Sequence, residues 1–229
     1  MTNLRNEPKT LKFKALLFDA GDVLYYRPRQ GVALAAFLTT QGLPPVTPDP
    51  QRLMELKRQA FAGQITKEAY QDAVLELYGV CDDAVRIKGR HMLDEAQRDI
   101  LFFDGVTETL HQLKTAGLRL GVVTNTFDAT TDKLQWFHKV SIDSVWDTFA
   151  TSCELKVCKP DPRIYLAALT PLGLRPEQAA FVGHARVELE GAKALRMTTI
   201  AFNRDDETVW ADHIVSRFPE LLQVAGIQG

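Results

Sequence analysis

Short apolar runs recur along this chain, and segments with helical spacing separate them. FKALLF (13–18) ends at Asp19 and meets Gly21, the pattern of a buried strand running into a turn. LRLGVVTN (118–125), AAFVG (179–183) and TTIAF (198–202) read as further strands, with DTFATS (147–152) and HIV (213–215) as weaker ones. Val106, Leu110 and Leu113 share one helical face, with Asp104 as the expected N-cap and Gly117 as the stop. KPDPRIYLAAL predicts a helix with Asp161 near its cap and Pro162 in its first turn; more helices are expected over 186–195 and in FPELLQVA. Such alternation implies a parallel sheet covered by helices on both faces, so the fold class is α/β.

Residues 28–98 break the alternation. They predict helices over 31–41, 50–62, 65–78 and 83–98, the first three ending at Gly42, Gly63 and Gly79. LPPVTPDP (43–50) is a proline-rich connector between the first two. A helical block inserted after the first strand of a parallel sheet is most simply a lid over the carboxyl ends of the strands, where such sheets bind ligands.

Composition narrows the function classes. The chain has 229 residues, 45% of them hydrophobic and 24% charged, as in an ordinary globular protein, with length for one large domain and a smaller insertion. Lysine plus arginine (27) nearly balances aspartate plus glutamate (29), which gives no general pull toward nucleic acid or an anionic membrane. Trp136, Trp146 and Trp210 form no stacking platform with a basic stripe. No apolar run approaches the roughly 20 residues that span a bilayer, and MTNLRNEPKTLKFK lacks the apolar centre of a signal peptide. Cys81, Cys153 and Cys158 are odd in number and lack metal-site spacing, so free thiols in a reducing cytoplasm are expected.

Four chemistry-bearing residues stand at or just after strand ends: Asp19, Thr124, Lys159 and His184. In a parallel sheet these ends converge on one crevice. A carboxylate there can act as a nucleophile, a hydroxyl can bind an anionic oxygen, and a lysine can neutralise developing charge. Taken singly, each has a structural reading: a turn carboxylate, a strand terminus, a solvated loop lysine.

FDAGDVLY, GVVTNT, KPDPRIY and FVGHARVELEGA, in this order, resemble the four signature motifs of the haloacid dehalogenase-like superfamily. The pattern is most similar to its phosphatase-rich group with a helical cap between the first two motifs, and it covers about residues 13–225. The resemblance implies a Rossmann-like core domain formed by 1–27 and 99–229, and a helical cap domain over 28–98. It assigns Asp19 as nucleophile, Lys159 as the cation that orders nucleophile and phosphoryl group, and Thr124 with Asn125 as substrate-binding. A small anionic substrate follows, most simply a phosphate ester. So does Mg²⁺, held at the positions of Asp19, the Gly21 carbonyl, His184 and Glu188.

Two positions depart from the family pattern. Where its phosphatases carry a second aspartate, this chain has Gly21; an acid/base group there contributes about 10²–10⁴-fold in rate. Asp22 is the next carboxylate, and a turn role suits it better. Where the family has paired metal-holding aspartates, this chain has His184 and Glu188. Mg²⁺ prefers oxygen ligands, whereas an imidazole suits Mn²⁺, Fe²⁺, Ni²⁺ or Zn²⁺. A metal-free alternative has a cationic His184 against Asp19; another is a decayed site.

The family's metal-free dehalogenases also lack the second aspartate, but they place Ser and Asn where this chain has Gly183 and Ala185. Phosphonoacetaldehyde hydrolases use a cap lysine; Lys57, Lys67 and Lys88 lie in the expected cap and none stands out. The expectation is an aspartate-nucleophile hydrolase of small phosphate esters with unusual metal dependence. The alternatives are an impaired relative that binds an anion or a protein, and a metal-independent haloacid hydrolase. Oligomeric state is left open. Arg27 or Arg29 is a candidate anion binder, against a solvated hinge role. Phe61, Tyr70 and Tyr78 are expected in the core of the cap.

Overall fold

Six parallel strands form the central sheet: β1 (Ala15–Phe18), β4 (Arg119–Thr124), β5 (Thr148–Thr151), β6 (Ala179–Gly183), β7 (Thr198–Phe202) and β8 (His213–Val215), in the order β5-β4-β1-β6-β7-β8. This computed structural model describes residues 11–29, 31–44 and 46–227. Residues 1–10 and 228–229, which belong to the expected core segments and carry part of the leader expectation, lie outside the described residues. The order places β1 in the middle with crossovers running to either side, the doubly wound Rossmann-like arrangement in which ligands bind where the order reverses. Ala15 is opposite both Arg119 and Ala179, so β1 pairs with β4 and β6 in matched register.

The sheet is buried on both faces. On one side Leu16, Phe18, Leu120 and Val122 pack against Leu110 and Leu113 of α5 (Val106–Thr115), Phe137 of α6 (Thr130–His138) and Leu221 of α10 (Glu220–Val224). On the other, Ala15, Leu17, Val123 and Phe181 pack against Ile164 and Tyr165 of α8 (Pro162–Leu169) and Leu189 of α9 (Arg186–Ala194). Continuous apolar runs are what a strand covered on both faces requires.

Between Tyr25–Tyr26 (β2) and Leu101–Phe102 (β3), which pair as a short antiparallel ribbon, lie four helices. These are α1 (Val32–Thr40), α2 (Pro50–Phe61), α3 (Lys67–Leu77) and α4 (Asp83–Arg98). Leu38, Leu75 and Val80 are buried together as a small core of their own. The N-caps are those that oxygen-bearing side chains favour: Asp49, Thr66 and Asp82 accept from backbone N–H groups of α2, α3 and α4.

Two differences from the sequence reading are structural. Asp104 is not the cap of α5; Gly105 is, at φ 80°, and a Cβ there would lie 2.6 Å from the Pro219 ring. The β2–β3 ribbon is too short to show a period, and α6 forms where the sequence pattern predicts no helix. Asp161 does cap α8, accepting from the Arg163 N–H at 2.9 Å, with Pro162 in the first turn.

Candidate active site

Asp19 follows β1 directly, and its N–H donates to the Val182 carbonyl at 2.9 Å, continuing the ladder with β6 one residue past the strand. The Ala20 N–H donates to Asp19 Oδ1 at 2.7 Å and fixes the carboxylate at the turn. Thr124 ends the adjacent β4 and is buried. Asn125, the next residue, accepts from the Lys159 N–H at 2.8 Å and donates through Nδ2 to the Lys159 carbonyl and to Glu188 Oε1, each at 3.4 Å. It thereby ties the loop before α8 to the ends of β4 and α9. Gly191 completes that tie: a Cβ at this position would lie 2.7 Å from Pro160 Cβ, so only glycine lets α9 sit against the Lys159–Pro160 segment.

Lys159 Nζ lies 2.7 Å from Asp19 Oδ1 and 2.8 Å from Glu188 Oε2, and its side chain is fully buried. His184, just past β6, has Nε2 3.5 Å from Asp19 Oδ2, while its Nδ1 donates to Asp205 Oδ1 at 2.6 Å. Burial alone would raise the Asp19 pKa, but the charge of Lys159 and the contact with His184 outweigh it and hold this carboxyl well below the usual range. Burial likewise works against a charged His184, yet Asp19 and Asp205 raise its pKa to about 9, so the ring is an imidazolium at neutral pH. Burial pushes Glu188 up to about 7 against the opposing pull of Lys159. Tyr165 donates to the Glu188 carbonyl at 2.7 Å and anchors the first turn of α9.

The structure therefore brings Asp19, Thr124, Asn125, His184 and Glu188 to one cavity of about 350 Å³, with Lys159 directly beneath its carboxylates. Gly21 and Asp22 also line it; Asp22 is exposed at φ 57° and forms no hydrogen bond through its carboxylate among the described residues. Phe61 and Tyr70 are not confined to the core of the helical insertion. They line the cavity around Phe127, whose ring is centred 5.6 and 5.1 Å from theirs, because this ring reaches out of the loop after β4. Arg27 lines the cavity over the Tyr25 ring, whereas Arg29 is paired with Asp99.

Other residues of the site carried weaker sequence signals. Lys133 lies on the buried face of α6 with Trp136 and Phe137, and a lysine at i with aromatics at i+3 and i+4 is a readable anomaly. Asp205 sits in an irregular loop with no pattern to mark it. Asp128, fully buried, accepts from Lys67 of α3 and Gln97 of α4, each at 3.0 Å, and links the insertion to the loop after β4.

Asp19, His184 and Glu188 bring ligand atoms within 4.8 Å of one another, the geometric minimum for a metal centre. Their chemistry does not fit Mg²⁺. One oxygen ligand of the family pattern is an imidazole, and that ring carries its proton between two carboxylates. A divalent ion would have to stand against this imidazolium and beside the Lys159 ammonium, which is already paired with both Asp19 and Glu188.

A family model for haloacid dehalogenase-like hydrolases matches residues 13–196. The chain belongs to this family. It is 34% identical to (S)-2-haloacid dehalogenase 4A of Burkholderia cepacia over 142 residues, which is 62% of this chain and 58% of that protein, under two thirds of its length. It is 27% identical to the N-acetylmuramic acid 6-phosphate phosphatase of Pseudomonas aeruginosa over 94% of this chain and 96% of that one. The crystal structure of a 2-haloacid dehalogenase from Pseudomonas syringae superposes with a TM-score of 0.69 at 21% identity, covering 93% of this chain and 97% of the other, which shows the shared fold. The family relatives of this chain include proteins of both phosphatase and dehalogenase type. No helix among the described residues is long and apolar enough to cross a membrane.

Proposed function

We propose that this hydrolase works without a metal, using Asp19 to displace a leaving group that departs as an anion, in the manner of a carbon–halogen hydrolase acting on a small organic acid. The observation that carries this reading is the pair of cations on the Asp19 carboxylate, Lys159 on Oδ1 and His184 on Oδ2. The absence of a carboxyl group at position 21 agrees with it. An alkoxide leaving group needs a proton donor, and Gly21 offers none; a halide needs none.

Asp19 Oδ2, the oxygen not held by Lys159 and the Ala20 N–H, attacks the carbon that bears the halogen. The C–O bond forms as the C–halogen bond breaks, and the halide leaves with the electron pair. The product is an ester of Asp19. Glu188 then takes a proton from water, the water oxygen attacks the Asp19 carbonyl carbon, and the acyl–oxygen bond breaks. The alkoxide of the hydroxy acid recovers the proton from Glu188, and the second water proton, left on the Asp19 carboxyl, passes to solvent and restores the carboxylate. Lys159, against Asp19 Oδ1, stabilises the oxyanion of that second step. Gly183 and Ala185 supply no side-chain donors here, so this electrostatic work falls to Lys159 and His184. In this reading α1–α4 form a cap that closes over the cavity and excludes water during the first step.

A second reading, a phosphate ester attacked by the same Asp19, is favoured by the near full-length likeness to a sugar-phosphate phosphatase. Thr124 and Asn125 would then bind the phosphoryl oxygens. The deciding experiment measures halide release from 2-chloropropanoate, and nitrophenol release from p-nitrophenyl phosphate, with EDTA and with Mg²⁺. Halide release in EDTA, lost in Asp19→Asn and accompanied by ¹⁸O transfer from labelled water into Asp19, supports the first reading. Phosphate ester turnover without halide release overturns it, and silence on both substrates leaves the impaired anion binder.

A further inference from the structure

Lys133 is 2% exposed, lines the same cavity as Asp19, and faces no carboxylate partner among the described residues. Its one hydrogen-bond partner among them is the Tyr25 hydroxyl, to which it donates at 2.9 Å. The ammonium otherwise meets aromatic rings, Trp136 at 4.9 Å and Tyr25 at 5.6 Å from the centroids. Burying an ammonium is costly unless a countercharge and hydrogen bonds offset it. Cation–π contacts return only a small part of that cost. One N–H is used on Tyr25, which leaves two for whatever enters the cavity.

The surrounding charges point the same way. Arg27 and Lys57 also line the cavity, Arg27 over Tyr25 and Lys57 over Phe61, and neither is paired with a carboxylate among the described residues. Apart from the Asp19, His184 and Glu188 cluster, the lining thus holds three cations against the single carboxylate of Asp22. Among the described residues Lys133 forms no hydrogen bond or ion pair with that cluster, whose charges are paired with Lys159 and Asp205.

We infer that Lys133, steadied by Tyr25, is the seat for a carboxylate of the substrate separate from the reacting end held at Asp19, so that the substrate is an organic acid long enough to reach both. The inference rests on the proposed hydrolase reading for the reacting end, and on the Lys133 environment alone for the anion. Tyr25 acts through Lys133 as a positioning residue. The cavity volume suits such a molecule better than a two-carbon acid.

The test uses a non-reacting probe. L-Malate, which carries a carboxylate at each end, is titrated calorimetrically into the wild-type chain, with its neutral diamide as comparison. Malate is expected to bind and to raise Tm, and the diamide to do neither. Lys133→Met is expected to weaken malate at least tenfold and to abolish its Tm increase, while the unliganded variant melts no lower than wild type, since it loses an uncompensated buried charge. Tyr25→Phe is expected to weaken malate by a smaller factor at unchanged charge. Equal malate affinity in wild type and Lys133→Met, no malate binding to wild type, or a Lys133→Met chain that fails to fold would each overturn the assignment. Malate binding that depends on Lys133 in a protein that releases no halide supports the seat and removes only the proposed reaction.

Discussion

Lys159 Nζ stands 2.7 Å from Asp19 Oδ1, an ion pair in which the lysine side chain is fully buried and the aspartate nearly so. Removing one partner of a buried pair typically costs about 3–5 kcal/mol, because the other charge is left without compensation. Lys159→Met should therefore lower unfolding free energy by about that amount at pH 7, since Asp19 and Glu188 would then face each other with His184 as the only cation. Urea denaturation measures this. The Asp19→Asn, Lys159→Met double variant should regain part of the loss, and a single variant within about 0.5 kcal/mol of wild type would contradict the pairing.

The His184 pKa of about 9 sets a sign for the pH dependence. The folded chain holds this proton more tightly than the unfolded chain, whose histidine titrates near 6.5. The stabilisation is therefore fully present below about pH 6.5, shrinks as pH rises, and is gone above the folded pKa. With a side chain mostly shielded from water, it amounts to about 3 kcal/mol at most. Wild-type Tm should fall between pH 6.5 and 9 more steeply than that of His184→Asn, and hydrolysis should fall with it. Parallel curves for the two proteins would show that the imidazolium does not support the site.

How much of this was legible in the sequence follows from the kind of interaction. β6, β7 and β8 match their expected runs residue for residue; β6 is buried at every position and shows no polar interruption, whereas β8 at the sheet edge exposes Ile214. The convergence of Asp19, Thr124, Lys159 and His184 was also readable, since strand ends of a parallel sheet meet at one edge. The pairing of Asp19 with Lys159 and His184 was readable too, but contacts from irregular or distant segments were not. Asp205 reaches His184 from a loop whose course no periodicity encodes, and Lys133 meets Tyr25 across 108 positions of chain. The aromatic wall of Phe61, Tyr70 and Phe127 escaped for a similar reason: helical spacing says which face an aromatic occupies, not whether that face meets core or cavity.

Lys67 joins the helical insertion to the loop after β4, pairing with Asp94 at 2.8 Å and with the fully buried Asp128 at 3.0 Å. Lys67→Met leaves Asp128 with Gln97 and Thr126 as its remaining hydrogen-bond donors. A loss of about 3 kcal/mol is expected, together with faster proteolysis between residues 28 and 98. If α1–α4 serve as a cap, KM should rise more than kcat falls. An unchanged cleavage rate would mean that this link does not hold the insertion in place.

Gly21 is the position at which metal chemistry can be rebuilt. A Cβ there meets nothing within 4 Å and the backbone is not left-handed, so Gly21→Asp should fold without strain and place a carboxylate at the cavity. Alone, it adds a negative charge beside Asp19 without removing the imidazolium. With His184→Asp, that cation is replaced by an oxygen donor, and the set becomes one that a hard divalent ion prefers. The double variant should therefore gain an Mg²⁺-dependent rise in Tm that wild type lacks. It should also gain Mg²⁺-dependent p-nitrophenyl phosphate hydrolysis, because the oxygen set can hold the ion at the phosphoryl group and the new aspartate can act as a general base toward water. Halide release should decline in the same protein, since Asp19 has lost one of its two cations. Mg²⁺ stabilisation of the wild-type chain equal to that of the double variant would mean that His184 does not exclude the ion.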